Sequence, residues 1–303
     1  MKYGFVTVDV FTSTPFGGNP LAVLPNAEGV TGKQMQAVAR EFNLSETAFV
    51  LPPETPEGTA KVRIFTPAVE LPFAGHPTVG TAYVLATRGA VDLGAAMSTV
   101  VLEEGVGPVE VKVAVRDGHV DTCQLTAAQA PEWGPPAPSR EVLGQILGVE
   151  PGAIRADELR PIAASCGFPF LYVPLVDRAA VGRVALDRRR WEEDLAGAWA
   201  DNLFLFAMDA GDEGSDVHAR MFGPSVGVDE DPATGSAATS LAAVLAAASG
   251  QRDGTLRWTV DQGIEMGRPS RMDIEAELAA GEITAARVGG ATVPVSEGTI
   301  DIR

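Results

Sequence analysis

Phe5 to Phe11 alternates apolar and polar positions and is rich in Val, the pattern of a half-buried strand. A loop by composition follows, Thr12-Ser13-Thr14-Pro15-Phe16-Gly17-Gly18-Asn19-Pro20, and then a short strand, Leu21 to Leu24, ended by Pro25. From Thr31 to Phe42 the period changes to that of a helix, with Met35, Val38, Ala39 and Phe42 on one face and Thr31 placed to cap its start. Ala48–Leu51 and Ala60–Phe65 read as further strands. The proline-rich loop from Thr66 to Pro77 then runs into Thr78–Gly89, a nearly uncharged helix with a glycine stop. A helix apolar on every side must be surrounded by protein.

The second half repeats this theme. Asp216 to Phe222 reads as a strand, Gly223 to Pro232 as a loop, and Thr234 to Gly250 as another helix without charge, again closed by glycine. Few letters match between the halves. Each nevertheless has a strand, a Pro/Gly-rich loop and a small-residue helix that needs burial. The pattern predicts an α+β chain of two similar domains, each wrapping short strands around its own central helix. The seam is expected at Arg116-Asp117-Gly118. The strand-like ending, with turns at Gly289-Gly290 and Gly298, is expected to return to the first domain and bring the termini together. The expected domains are therefore 1–117 with 286–303, and 118–285.

Composition narrows the partners. The 303 residues carry Lys+Arg 23 against Asp+Glu 40, a net charge of -17, which repels a phosphate backbone and argues against nucleic acid. The one basic run, Arg188 to Arg190, precedes Trp191 and an acidic stretch and reads as a solvated helix start. Cys123 and Cys166 form no CxxC and have no clustered histidines near them, so no metal and no redox dithiol is expected; they read as buried free thiols. Met1 to Val10 reads as a strand and not as a signal peptide. The apolar run from Thr239 to Ser249 is too short to span a bilayer, so no membrane role and a cytoplasmic location are expected.

Candidate chemistry begins at the two helix starts, Gly75-His76-Pro77-Thr78 and Thr234-Gly235-Ser236. A buried helix start leaves free N–H donors and a partial positive charge, which suits an anionic ligand. Glycine at each lets a ligand approach the backbone. If the domains face each other, both starts point into one cleft fit for a small carboxylate. Ser, Thr and Gly also serve simply as helix caps, and that reading stays open. A lone histidine is more often structural than catalytic, yet His76 sits at the mouth of a buried helix, an odd place for a core side chain. His119 reads as a turn residue and His218 as part of a strand, neither with a role. Ser45-Glu46 alone is an ordinary surface pair, and Asp231 alone an ordinary acidic loop residue.

Four segments change that weighting. They are Val8-Asp9-Val10-Phe11 with Phe16-Gly17-Gly18-Asn19-Pro20-Leu21-Ala22-Val23; Asn43-Leu44-Ser45-Glu46-Thr47-Ala48-Phe49; Arg63-Ile64-Phe65-Thr66-Pro67 with Glu70-Leu71-Pro72-Phe73-Ala74-Gly75-His76-Pro77-Thr78; and Asp231-Pro232-Ala233-Thr234-Gly235-Ser236-Ala237. In this order, and with the closing Val288-Gly289-Gly290, the chain resembles the phenazine-biosynthesis isomerase-like (PhzF-like) family along its whole length. The resemblance implies a diaminopimelate epimerase-like fold of two pseudo-symmetric domains, each a rolled sheet around a central helix, with the site in the cleft. It implies a homodimer that uses no cofactor and no metal. The epimerase relatives use a pair of cysteines, one at each helix start. Here Ala74-Gly75-His76 and Ala233-Thr234-Gly235-Ser236 fill those places, which argues against two-cysteine racemisation. Glu46 stands at the family's proton-transfer position. His76 and Asp231 match its polar catalytic residues, and Ser236 a polar site residue that binds substrate. Ser45, Gly75 and Gly235 match positions beside the ligand, and Asn19 is a weaker match as site support.

The reaction this implies moves a proton between carbons of a small unsaturated carboxylate and shifts a double bond. Glu46 would act as base and then acid from an apolar pocket that raises its pKa. Three alternatives remain: an amino-acid epimerase using Glu46 and a base from the Asp231 side, a hydrolase or lyase using the same carboxylate, and a non-catalytic metabolite- or partner-binding protein.

Overall fold

The computed structural model describes residues 1–208 and 214–303, which form two compact units, Met1–Ala128 with Arg287–Arg303 and Gln129–Ala286. In the first unit the chain runs through β1 (Lys2–Val10), β2 (Asn19–Leu24), α1 (Gly32–Phe42), β3 (Glu46–Leu51), β4 (Ala60–Phe65), β5 (Glu70–Leu71), α2 (Gly75–Leu85), β6 (Met97–Glu104), β7 (Gly107–Arg116) and β8 (His119–Thr126). β1 pairs antiparallel with β2, β2 parallel with β3, and β3 antiparallel with β4. β4 pairs parallel with β6, and β6, β7 and β8 form an antiparallel meander.

α2 packs against β1, β2, β3, β6, β7 and β8, so six strands surround one helix. Every residue from Gly75 to Ala82 is buried, which is why the sequence offers no charge there. Gly80 lets the helix lie close to the sheet: a Cβ at that position would meet Leu21 and Val10 side-chain carbons at 2.7 Å. Past Leu85 the helix loosens into one wide turn, Ala86–Ala90, ended by Gly89 at φ 91°. α1 covers the other side. Thr31 and Gln34 cap it reciprocally, and Met35, Val38 and Ala39 are buried beside Leu24, Phe49 and Phe65. Full burial of a side chain such as Met35 is worth about 1.5–3 kcal/mol. Asn43, left-handed at φ 52°, ends α1 and turns the chain into β3.

The second unit contains β9 (Glu132–Trp133), α3 (Arg140–Leu147), β10 (Ile162–Ser165), β11 (Pro169–Pro174), α4 (Arg178–Gly182), α5 (Arg188–Asp194), β12 (Leu203–Ala207), β13 (Val217–Gly223), β14 (Val228–Asp231), α6 (Gly235–Ser249), β15 (Gly254–Gln262) and β16 (Ser270–Ala279). α6 packs against β10, β11, β15 and β16. The Tyr172 hydroxyl donates to the Ala237 carbonyl in its first turns at 2.9 Å. The alternate residues Leu171, Val173, Leu203 and Leu205 join a core with Leu143, Ile146, Leu147, Val181 and Trp191 of α3, α4 and α5. β11 and β12 are thus covered on both faces, which accounts for their unbroken apolar runs.

The chain returns through β17 (Glu282–Gly290) and β18 (Thr292–Asp301). Arg287–Gly290 pairs with β8, and β18 lies antiparallel to β1. The Met1 amino group reaches the Ile302 carbonyl at 2.7 Å. Three expectations need correction. The units divide after Ala128, not after Asp117, and again after Ala286. Asp117-Gly118, both at positive φ, is the turn of the β7–β8 hairpin, so β8 stays with its partner. His119 is the exposed first residue of β8, beyond that turn. Gly289-Gly290 and Gly298 lie within strands, and Ala291 is the one residue between β17 and β18.

Candidate active site

In the first unit three segments meet: the loop entering β2, the start of β3 and the start of α2. Gly18 shapes the loop, since its φ is +61° and a Cβ there would lie 2.4 Å from the Val10 carbonyl oxygen. The Asp9 carboxylate, buried in β1, accepts the Phe16 N–H at 2.7 Å and pins the loop's far side. Asn19 follows, fully buried and paired with Val10. Pro20 comes next, one residue before the parallel pairing of β2 and β3 begins with Leu21 opposite Glu46.

Glu46 is therefore the first residue of β3, with half-buried Ser45 just ahead of it. Its Oε2 lies 3.4 Å from Nε2 of His76, the second residue of α2. The histidine is buried, while the glutamate side chain keeps 13% exposure, so it is the glutamate that a ligand can reach. Burial pushes the His76 pKa down to about 3, opposed by a hydrogen bond to the Pro20 carbonyl. Nε2 faces Glu46 and meets no hydrogen-bond geometry, so the ring N–H given to Pro20 is that on Nδ1. The imidazole is thus neutral and turns its Nε2 lone pair towards the carboxyl group.

Gly75, buried, opens α2 behind Ala74, whose methyl group cannot cap the helix. The segment before α6 in the second unit is built differently. Asp231 ends β14, and its Oδ2 accepts the Thr234 hydroxyl at 2.6 Å. Gln262, the last residue of β15, donates from Nε2 to the Asp231 carbonyl at 2.7 Å and accepts the Thr234 N–H at 3.1 Å. Thr234 occupies the cap position of α6, but its hydroxyl is turned to Asp231 and does not cap the helix. Gly235 is buried and Ser236 half-buried in the first turn. Neither central helix has a side-chain cap at its start, which sets aside the plain capping reading and leaves donors for a ligand.

Within the first unit the structure brings Glu46, His76 and Gly75 together with Asn19 and Ser45 near by in the chain. Within the second it brings together Asp231, Gly235 and Ser236. Sequence reasoning missed Gln262, which no motif marks. His218 is fully buried, with Nε2 2.8 Å from Glu265 Oε1, a structural pairing inside its unit. Cys123 and Cys166 are buried free thiols, and burial lifts the Cys123 pKa to about 12. Among the described residues no three His, Cys, Asp or Glu side chains are grouped to hold a metal ion. No helix among them is long and apolar enough to cross a membrane.

The family model described as "Phenazine biosynthesis-like protein" matches residues 8–298. An uncharacterized isomerase of Mesorhizobium japonicum is 39% identical over 301 residues, covering 98% of each chain. The trans-2,3-dihydro-3-hydroxyanthranilate isomerase of Pseudomonas aeruginosa is 37% identical over 300 residues, covering 97% of this chain and 98% of its own. The crystal structure of a Bacillus anthracis phenazine biosynthesis protein of the PhzF family superposes with a TM-score of 0.88 at 25% identity, covering 100% of both chains. With its epimerase-like fold and this match along almost its whole length, the chain belongs to the phenazine biosynthesis-like, or PhzF-like, family.

Proposed function

We propose that this PhzF-like isomerase shifts a double bond in a small unsaturated carboxylate by moving one proton between two carbons, with Glu46 as the carrier. The observation that supports this best is the 3.4 Å approach of Glu46 Oε2 to a neutral His76 Nε2. As carboxylate, Glu46 takes the proton from one carbon. The electron pair left behind spreads through the conjugated system towards the substrate carboxylate. Glu46, now an acid, keeps the proton while pointing it at the His76 lone pair, and returns it to a second carbon. One bond to hydrogen breaks and one forms, so the reaction balances without oxidant or reductant. His76 serves as a neutral acceptor and not as a cation.

Ser45, Gly75 and Asn19 are assigned to substrate binding beside Glu46. Asp231, Gly235 and Ser236 are assigned to the same reaction. Asp231 would orient a polar group of the substrate, and the α6 start with Ser236 would hold its carboxylate. The Pseudomonas aeruginosa relative, whose name gives a substrate, supports a hydroxylated, amino-bearing cyclic dienoic acid as the class to try first. A homodimer in the cytoplasm completes the reading. Light scattering that finds a monomer at working concentration would remove the dimer.

The test is proton exchange in D₂O, followed by NMR, for the wild type and Glu46→Gln with a panel of cyclic dienoic and amino carboxylates. Glu46-dependent deuteration with a displaced double bond is the expected result. Inversion at one carbon without displacement would mean an epimerase, and two products from one substrate a hydrolase or lyase. Saturable binding without exchange would mean a binding protein.

A further inference from the structure

A second carboxyl group stands against the first turn of α2. Glu104 ends β6, and its side chain is buried with only 8% of the residue exposed. Its neighbour Glu103 points outward, accepting the backbone N–H groups of Glu54 and Thr55. Glu104 Oε1 lies 2.6 Å from the Thr78 hydroxyl oxygen, and Glu104 Oε2 has no hydrogen-bond partner among the described residues. The same Thr78 oxygen lies 2.7 Å from the carbonyl of Ala74, the residue that precedes Gly75 and His76.

A threonine hydroxyl has one proton, and here it touches two acceptor oxygens. Two short contacts can both be hydrogen bonds only if one of the acceptors brings a proton of its own. The carbonyl has none to bring, whereas a carboxylic acid has one. We propose that Glu104 is a positioning residue for the α2 half of the site: as a neutral acid it donates to Thr78 Oγ1, which frees the Thr78 hydroxyl to hold the Ala74 carbonyl and fix the turn that carries Gly75 and His76. The catalytic consequence rests on the function proposed above; the hydrogen-bond arrangement does not.

The surroundings agree. Burial lifts the Glu104 pKa to about 8, opposed only by the Thr78 hydrogen bond. The charged groups on the elements around it are otherwise engaged or lie outside. Lys61 on β4 pairs with Glu54 at 2.6 Å, and Arg63 on β4 pairs with Glu70 of β5 at 2.7 Å. Glu110 and Lys112 lie on β7, and α2 itself contributes the neutral His76 and Tyr83, whose pKa burial raises from its ordinary value. An ionised Glu104 would also put a negative charge at the α2 start, weakening the hold of its N–H donors on any anionic group of a ligand. The pair thereby links occupancy of the α2 start to a proton on Glu104.

The experiment is a carbon-13 titration of the glutamate carboxyls of the full chain. The Glu104 resonance is assigned by its loss in Glu104→Gln, and the Gly75 and His76 amide signals are followed alongside. Glu104 should stay protonated through neutral pH and titrate near 8, with both amides moving at the same midpoint in wild type and not in Glu104→Gln. Glu104 titrating in the ordinary carboxylate range, or amides that ignore it, would overturn the proposal. Neither readout needs a substrate, so a failed proton-transfer reading leaves this test intact. Where turnover is found, its alkaline limb should move upward in Glu104→Gln, whose amide still donates to Thr78. Glu104→Ala should lower kcat about tenfold or more across the pH range. An alkaline limb unmoved in Glu104→Gln would also count against the proposal.

Discussion

His76 presents a lone pair, not a proton, to Glu46: its Nε2 stands 3.4 Å from Glu46 Oε2 while Nδ1–H is committed to the Pro20 carbonyl. This orientation follows from how the chain is laid out. Pro20 has no N–H of its own to give, and its carbonyl is left at the β2 start where the parallel pairing with β3 has not yet begun. The loop before β2, held by Gly18 and Asp9, therefore sets the tautomer of a histidine on α2.

The neutral state of His76 has a measurable sign. Its folded pKa is about 3 and its unfolded value 6.5, so the unfolded chain binds the extra proton between them. The stability tied to a neutral His76 is fully present above about 6.5 and is lost as pH falls towards 3. Urea unfolding across this window should show wild type losing more stability than His76→Asn. Equal slopes for the two proteins would mean that the ring is not held neutral. The rate profile should likewise show no acid limb from His76 above about pH 4.

Removing Glu46, the carrier proposed above, should cost more than removing its partner His76. A positioned general acid–base group contributes about 10²–10⁴-fold, so Glu46→Gln is expected to lose turnover by that factor. Glu46→Asp keeps the carboxyl but retracts it from the substrate, and should fall between. Circular dichroism and melting should change little, because the Glu46 side chain is partly exposed and contributes little core. A Glu46→Gln rate within a few-fold of wild type would remove Glu46 from the chemistry.

Much of this was legible in the sequence, for identifiable reasons. The charge-free stretches after Pro77 and Thr234 gave away both buried helices, because a helix enclosed by strands has no face left for charge. Glu46, His76 and Asp231 were marked by motif, but the contact between Glu46 and His76 was not. It depends on the start of α2 packing against the start of β3, elements far apart in sequence, which no local pattern encodes. The misplaced seam came from reading Asp117-Gly118 as a linker, although Asp-Gly between alternating strands is a hairpin signal. Glu104 was within reach of the same logic: Val100, Leu102 and Glu104 share one face of β6, so the period-two pattern places its carboxyl in the core. Gln262 offered nothing, since its role exists only once β15 is set beside the loop before α6.

The loop that presents Pro20 should be intolerant of a methyl group at position 18. Gly18→Ala meets the Val10 carbonyl at 2.4 Å and a left-handed backbone at once, so the loop must move. A loss of about 1–3 kcal/mol is expected from the overpacking. The diagnostic readout is the His76 ring nitrogen spectrum: displacement of Pro20 should weaken the Nδ1–H bond and shift that signal. A variant that folds with an unchanged His76 spectrum would separate the loop from the histidine.

Gln262 provides the last test, because it ties Asp231 to the α6 start through the Asp231 carbonyl and the Thr234 N–H, with a further contact from its Nε2 to the Thr234 hydroxyl at 3.1 Å. Gln262→Ala leaves the Asp231 carbonyl and the Thr234 N–H buried without their partner, at a cost of about 1–3 kcal/mol each. Gln262→Glu keeps the acceptor for Thr234 N–H but loses the donor to Asp231, so it separates the two bonds. If Asp231 serves the reaction, both variants should lower kcat while the Glu46–His76 pair stays as it is, seen in an unaltered His76 titration. If only stability falls and kcat holds in the folded fraction, the segment from Asp231 to Thr234 is a structural joint, and the substrate is oriented by other groups.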